Sequence, residues 1–187
     1  MSLRTPLIRP ATPADAASLL EIYRPYVEGT AVSFETEVPS VEAFTARIDK
    51  ALQGWAWLVA EVDGQCVGYA YGGAHRERAA YRWSTETSAY IRAGWQGQGL
   101  GKMLYQALFE RLAERGYCNA LAVVVVPNDA SVALHRAVGF ETVGVFRRGG
   151  HKFGAWHDVM WLQRALRESP PEGSQADSPA FGRRVVP

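Results

Sequence analysis

Apolar residues recur along the chain with two periods, and the switches between them predict a mixed α/β order of elements. Leu7-Ile8-Arg9 reads as a short strand, which Pro10 breaks. Thr12 as N-cap, Pro13 at the first helical position and Asp15 at the third then open a helix. Its Ala16, Leu19, Leu20 and Tyr23 share one face, and it runs to about Glu28. Ser40 followed by Val41, Phe44, Ile48 and Leu52 predicts a second amphipathic helix, ended by Gly54. Strand patterns come next, from Ala56 to Val62 and from Cys66 to Gly72, joined at Asp63-Gly64, a dipeptide suited to a tight hairpin turn. The segment 73–79 has no periodicity and reads as a loop or irregular strand end, before a long strand from about Trp83 to Arg92.

From Leu100 to Arg115 the leucines 100, 104, 108 and 112 recur every fourth position, with Arg111 and Arg115 near the end and Gly116 beyond it. That pattern predicts a helix whose charges match its dipole. Ala120 to Val126 is a continuous apolar run, as expected of a strand covered on both faces. Asn128 or Asp129 caps a short helix to about Val138, closed by Gly139. Phe140 to Phe146 and Val159 to Leu162 predict the last strands. After Glu168 the composition turns to Ser, Pro, Gly and Glu, which bury too little apolar area to order themselves. Residues 1–167 therefore read as one domain and 168–187 as a flexible tail.

Charge narrows the partners. Twenty Lys and Arg against nineteen Asp and Glu leave a formal charge of +1, too weak a field to attract nucleic acid or anionic lipid non-specifically. No stretch approaches the ~18 apolar residues of a membrane span, and Met1 to Pro10 has no leader-like apolar run. A cytoplasmic protein with a small-molecule partner is the expectation. Cys66 and Cys118 lack any metal or redox spacing and read as small buried hydrophobes. His75, His135, His151 and His157 show no ligand spacing, so no metal is expected.

The chemically informative segment is Gln96-Gly97-Gln98-Gly99-Leu100-Gly101, which joins a strand to a helix. Glycines there expose backbone N–H groups at the positive end of a helix dipole, a cradle for phosphate oxygens. The same glycines would also suit a purely structural turn. No Gly-Lys-Ser/Thr follows, and no first βαβ unit begins there, which sets aside the nucleotide P-loop and the dinucleotide fingerprint. The segment resembles the Q/R-x-x-G-x-G/A pyrophosphate motif of the GNAT acetyltransferase superfamily. Asn128, Ala130, Leu134-His135 and Gly139-Phe140 downstream are similar to that superfamily's acetyl-CoA segment.

Four further stretches narrow the likeness: Tyr81 to Glu86, Pro127 to Val132, Lys152 to Val159, and Ser33-Phe34-Glu35-Thr36. They resemble the phosphinothricin and methionine sulfoximine acetyltransferases, and the similarity spans about residues 7–165. It implies a single-domain GNAT fold with a mixed, mostly antiparallel central sheet flanked by helices. It also implies acetyl-CoA as cosubstrate, a small amino-acid-like amine as acceptor, and a homodimer with Trp156 and the last strands near its interface.

Acetyl transfer needs a base for the acceptor amine, stabilisation of the carbonyl oxygen, and a proton for the departing thiolate. The resemblance points to Glu86 as the base, facing the acceptor, although a solvated strand carboxylate is the plainer reading. His135 stands where many relatives carry Tyr, and its imidazole suits either the acid or the base, or else mere packing. Arg76 and Arg78, two apart, would meet the acceptor's oxyanions with guanidinium forks, with Phe34, Thr85 and Thr87 as further contacts. Trp83 and Trp156 read as packing or interface. For the cofactor, the backbone of Ala89, Tyr90 and Ile91 would pair with the pantetheine, the N–H groups of Gly97, Gln98, Gly99, Leu100, Gly101 and Lys102 would hold the pyrophosphate, and Asn128 would bond a pantetheine amide. Polyamine, aminoglycoside, peptide N-terminus or ordinary amino acid stay open as acceptors, as does a binding module without turnover.

Overall fold

The computed structural model describes residues 6–172. In chain order these form β1 (Leu7–Pro10), a 3-10 turn (Pro13–Asp15), α1 (Ala16–Gly29), α2 (Val41–Gly54), β2 (Trp57–Val62), β3 (Gln65–Ala74), a second 3-10 turn (Ala79–Tyr81) and β4 (Ser84–Ile91). They continue as α3 (Leu100–Glu114), β5 (Asn119–Val126), α4 (Asp129–Ala137), β6 (Glu141–Lys152) and β7 (Ala155–Ala165). The strands make one seven-stranded sheet in the order β1-β2-β3-β4-β5-β7-β6. Every neighbouring pair is antiparallel except β4 and β5. That is the mixed, mostly antiparallel sheet expected.

Strand alternation divides the core into two layers. Leu58, Ala60 and Ala70 face α3 and meet Leu104, Tyr105, Leu108 and Leu112. Trp57, Val59 and Tyr69 face the other way and meet Leu19, Tyr23, Phe44 and Ile48 of α1 and α2. Leu104, Leu108 and Leu112 are wholly buried, each worth about 1.5–3 kcal/mol of apolar transfer. The four-residue leucine spacing therefore marks the buried stripe of α3.

The first helix opens differently from expectation. Pro13–Asp15 is a 3-10 turn and the α-helix begins at Ala16. Asp15 accepts bonds from the backbone N–H and hydroxyl of Thr12 at 2.7 and 3.0 Å and from Arg9 at 2.8 and 2.9 Å. The Arg9 guanidinium, above all, holds the Asp15 carboxyl down at about 2. The acid tightens the turn because it ties β1 and the entry of α1 together.

Several boundaries move. Gly73 and Ala74 continue β3, so the aperiodic segment begins at His75. β6 and β7 extend well beyond 140–146 and 159–162. β6 is an edge strand with mostly exposed residues, so no buried face imposed an alternation on Arg147-Arg148-Gly149-Gly150. The register slips between Phe146 and Gly150, and Asp158 accepts the Arg148 N–H at 2.8 Å across that irregularity. β5 is covered on one face only: Ala120, Ala122 and Val124 are buried, whereas Val123 is 41% exposed. Cys66 and Cys118 are free and buried, as expected. Trp156 is exposed, and Trp83 lies beside Gly116 and Pro171. The predicted tail is described only to residue 172, and 173–187 lie outside the described residues. Among the described residues no helix is long and apolar enough to cross a membrane.

Candidate functional site

The parallel pair at the centre of the sheet is short. β4 and β5 are in register only at Ser84–Glu86 with Asn119–Leu121. β3 follows β4 to Ile91 and β7 follows β5 to Val126, so the facing edges of β4 and β5 separate beyond Glu86 and Leu121. At the vertex the Thr87 hydroxyl donates to the Leu121 carbonyl at 3.0 Å. The cleft beyond is lined by Thr87, Ala89, Tyr90, Val125, Asn128 and His135. An open strand edge offers backbone N–H and C=O groups to any extended, amide-bearing chain. Ala89 and Tyr90 lie along that edge. Ile91 does not line the cleft: its carbonyl accepts the Tyr26 hydroxyl at 2.7 Å.

At the far end of β4 the chain enters the glycine turn. Gly97 and Gly99 take φ of +75° and +81°, a left-handed backbone that side chains resist, and a Cβ on either would meet nothing within 4 Å. Gly99 is the N-cap of α3 and has no side chain to cap it. The first helical bond found runs from Met103 N–H to the Gly99 carbonyl at 3.1 Å, so the N–H groups of Leu100, Gly101 and Lys102 precede the intrahelical ladder. This is a cradle for a phosphate-bearing ligand. Gln98 braces it, its side-chain amide donating to the Gly94 carbonyl at 3.2 Å. Two assignments acquire another reason: Leu100 is buried in the core, and Gly101 lacks a side chain because a Cβ would lie 2.7 Å from Leu134 Cδ2 of α4. Either serves a ligand through its backbone alone.

Asn128 caps α4 by accepting the Ser131 N–H at 3.1 Å. His135, one turn on from Ser131, is buried. Its Nδ1 lies 2.7 Å from the Ser131 carbonyl, which only accepts, so Nδ1 carries the proton. Nε2 then accepts from the Tyr105 hydroxyl at 2.9 Å. Burial pushes the imidazole below its ordinary range, against the bond to Ser131, and burial raises the Tyr105 phenol. His135 is thus a neutral ring with both nitrogens engaged. The neutral ring links Ser131 of α4 to Tyr105 of α3 at the border of the cleft.

Glu86 is the last β4 residue in register with β5, on the opposite face of the strand from Thr85 and Thr87. Its Oε1 lies 2.8 Å from His75 Nδ1. Sequence reasoning missed His75 as a partner. The signal lay in β3: once that strand is extended through Ala74, the pair Gly73↔Glu86 brings His75 beside the carboxylate. Thr85 and Thr87 do not join a contact surface for an acceptor. Thr85 is fully buried toward α3 with its hydroxyl on the Gly73 carbonyl at 2.8 Å, and the Thr87 hydroxyl is committed at the vertex.

Arg76 and Arg78 are exposed on the segment between β3 and β4, and the Arg76 guanidinium lies 5.6 Å from the Tyr81 ring centroid. Phe34, 39% exposed, lies against Gly150 and has its ring 6.2 Å from His157. Beside Phe34, Glu35 pairs with Arg47 at 2.5 Å. Tyr71 and Ser88 are partners across β3 and β4, two positions from Gly73 and Glu86 on the same face. There a cavity of about 180 Å³ is lined by Tyr23, Phe44, Trp57, Tyr69 and Tyr71, with Arg47 among its residues. Nothing in the sequence pattern singled out this cavity, because its walls come from α1, α2, β2 and β3. Among the described residues no group of three or more His, Cys, Asp or Glu forms a metal site.

Residues 8–161 match the family model described as an acetyltransferase (GNAT) domain. The chain is 40% identical over 164 residues to a phosphinothricin N-acetyltransferase of Streptomyces viridochromogenes, covering 88% of this chain and 90% of that one. It is 38% identical over 161 residues to an L-methionine sulfoximine/L-methionine sulfone acetyltransferase of Pseudomonas aeruginosa, covering 85% and 94%. Among solved structures, a phosphinothricin acetyltransferase of Sinorhizobium meliloti in complex with AcCoA superposes with a TM-score of 0.88 at 35% identity, over 95% of this chain and all of that one.

Proposed function

Because the chain belongs to the GNAT acetyltransferase family and is an acetyl-CoA-dependent N-acetyltransferase, we propose that its acceptor is the amino group of a small amino acid of the phosphinothricin, methionine sulfoximine or methionine sulfone kind. The observation that carries the proposal is the parting of β4 and β5 immediately after Glu86 and Leu121. It joins a phosphate cradle at one end to a carboxylate at the other through a slot with an open backbone edge.

Acetyl-CoA bound in the slot supplies the thioester. The N–H groups of Gly97 to Lys102 hold its pyrophosphate, the edge at Ala89 and Tyr90 aligns its amides, and Asn128 offers its side-chain amide beside them. Glu86, at the vertex, takes a proton from the acceptor ammonium directly or through water and thereby frees the lone pair. Tyr105 and His135 border the slot and fix the packing of α4 against α3.

On the acceptor side, Arg76 and Arg78 attract the carboxylate and the phosphinyl or sulfonyl oxygens. The aromatic cavity beside Tyr71 receives the apolar part of the side chain, and the exposed ring of Phe34 offers the acceptor a further apolar contact. An acidic pocket would suit a polyamine, whereas the exposed cations of this segment are two arginines. We further propose a cytoplasmic homodimer in which the exposed Trp156 of β7 lies at the interface.

Release of free CoA measured with methionine sulfone, methionine sulfoximine, phosphinothricin, spermidine and a peptide N-terminus tests the assignment. Turnover is expected with the first three. Turnover confined to spermidine or the peptide overturns the acceptor class, and none with any of the five favours a binding module.

A further inference from the structure

We propose that His75 is a positioning residue for the acceptor step: it holds one oxygen of Glu86 so that the other meets the amine. The inference rests on the reading of Glu86 as the acceptor's base. Its ground is the 2.8 Å contact between His75 Nδ1 and Glu86 Oε1. An ionised carboxylate only accepts, so Nδ1 donates whether the imidazole is neutral or charged.

The two partners are unequally fixed. The His75 side chain is 8% exposed and that of Glu86 37%, so the ring is the anchored member and the carboxylate the one that reaches the opening. The anchor comes from two further elements. The Tyr81 ring meets His75 edge to face at 5.5 Å and 83°, and Trp161 of β7 does so at 5.9 Å and 70°. The imidazole is thus clamped between the Ala79–Tyr81 turn and β7, and its donor points to β4.

A glutamate on a strand has three side-chain torsions and, unheld, spends most of its time away from any one productive orientation. A base must lie within hydrogen-bond reach of the proton it takes. With Oε1 engaged, the carboxylate plane is set and Oε2 becomes the working oxygen. The position matters because Glu86 is the final residue in register with β5, where the slot opens. A hydrogen bond serving only the fold has no need to end at that vertex.

The test compares His75→Phe, which keeps an aromatic ring between Tyr81 and Trp161 without the donor, with His75→Asn, whose amide nitrogen reaches the place of Nδ1. For His75→Phe, kcat with the acceptor is expected to fall about 10-fold through loss of orientation, with KM for acetyl-CoA unchanged. His75→Asn recovers most of that loss, and in a Glu86→Gln background His75→Phe costs nothing further. Should His75→Phe fail to fold by circular dichroism, His75→Gln, whose amide reaches the place of Nε2 instead, replaces it. Wild-type kcat in the donorless variant, no recovery with Asn, or an equal loss in the Glu86→Gln background overturns the inference. If Glu86→Gln alone keeps full turnover, the reading of Glu86 as base fails; if it is inactive while His75→Phe is unimpaired, only the role of His75 fails.

Discussion

The ammonium of Lys152 donates a 2.7 Å hydrogen bond to the backbone carbonyl of Ser33, 119 residues away, and shares its other protons with the carbonyls of Val27 at 2.6 Å and Thr30 at 2.9 Å. The cation neutralises the C-terminal end of α1 and fastens the segment carrying Phe34 to the β6–β7 hairpin. Lys152→Met keeps the stem and removes three charge-assisted bonds from a buried site. It should cost about 2–4 kcal/mol, read as a lower urea midpoint. An unchanged midpoint would show that the three carbonyls find other donors.

Phe34 depends on the same hairpin through Gly150. A Cβ on Gly150 would run into the Phe34 ring, whose Cδ2 would lie 2.9 Å away. Gly150→Ala should displace that ring and raise KM for the acceptor while KM for acetyl-CoA stays as it was. A parallel rise in both constants would mean that Phe34 does not belong to the acceptor wall.

Gly99 separates phosphate binding from stability. Alanine there meets no atom within 4 Å but must adopt a φ of +81°, at about 1–2 kcal/mol. Its methyl group and the strained turn disturb the cradle. KM for acetyl-CoA should rise about 10-fold, roughly 1.4 kcal/mol of binding, with kcat at saturation preserved. Steady-state kinetics at varied acetyl-CoA decide the point, and an unchanged KM would move the pyrophosphate away from the turn.

His135 gives stability a pH dependence of known sign. Burial depresses its folded-state pKa below the ordinary value, so the unfolded chain binds the extra proton first. Its contribution is fully present above the unfolded value of ~6.5 and is lost as pH falls toward the depressed folded value. Thermal melts from pH 8 to 5 should show a shallower acid decline in His135→Gln than in the wild type. Equal slopes would mean that His135 is not buried as a neutral ring.

The helices, the Asp63-Gly64 hairpin and the glycine turn were legible because each rests on neighbours in sequence: a four-residue apolar spacing, a dipeptide able to turn tightly, a positive φ at glycine. The full length of β6 was not, because an exposed edge strand has no buried face to write a period into its residues. At the candidate site, Asn128 lies on the cleft, whereas Phe34 lies against Gly150 and is not among the residues that line the aromatic cavity. The Thr85 and Thr87 hydroxyls turn inward, through strand alternation and the Leu121 carbonyl.

What the amino-acid sequence determined by itself is the order of elements and the chemistry each carries, including a phosphate cradle at 96–101 and a carboxylate one strand before it. Tertiary structure decided what those groups meet. The parting of β4 from β5 depends on how far their register with each other lasts against their registers with β3 and β7. His75, which meets Glu86, and Tyr105, which meets Nε2 of His135, lie 11 and 30 residues from them. Local propensity acts over a few residues, whereas a hydrogen bond across the fold exists only after packing has brought its two ends together.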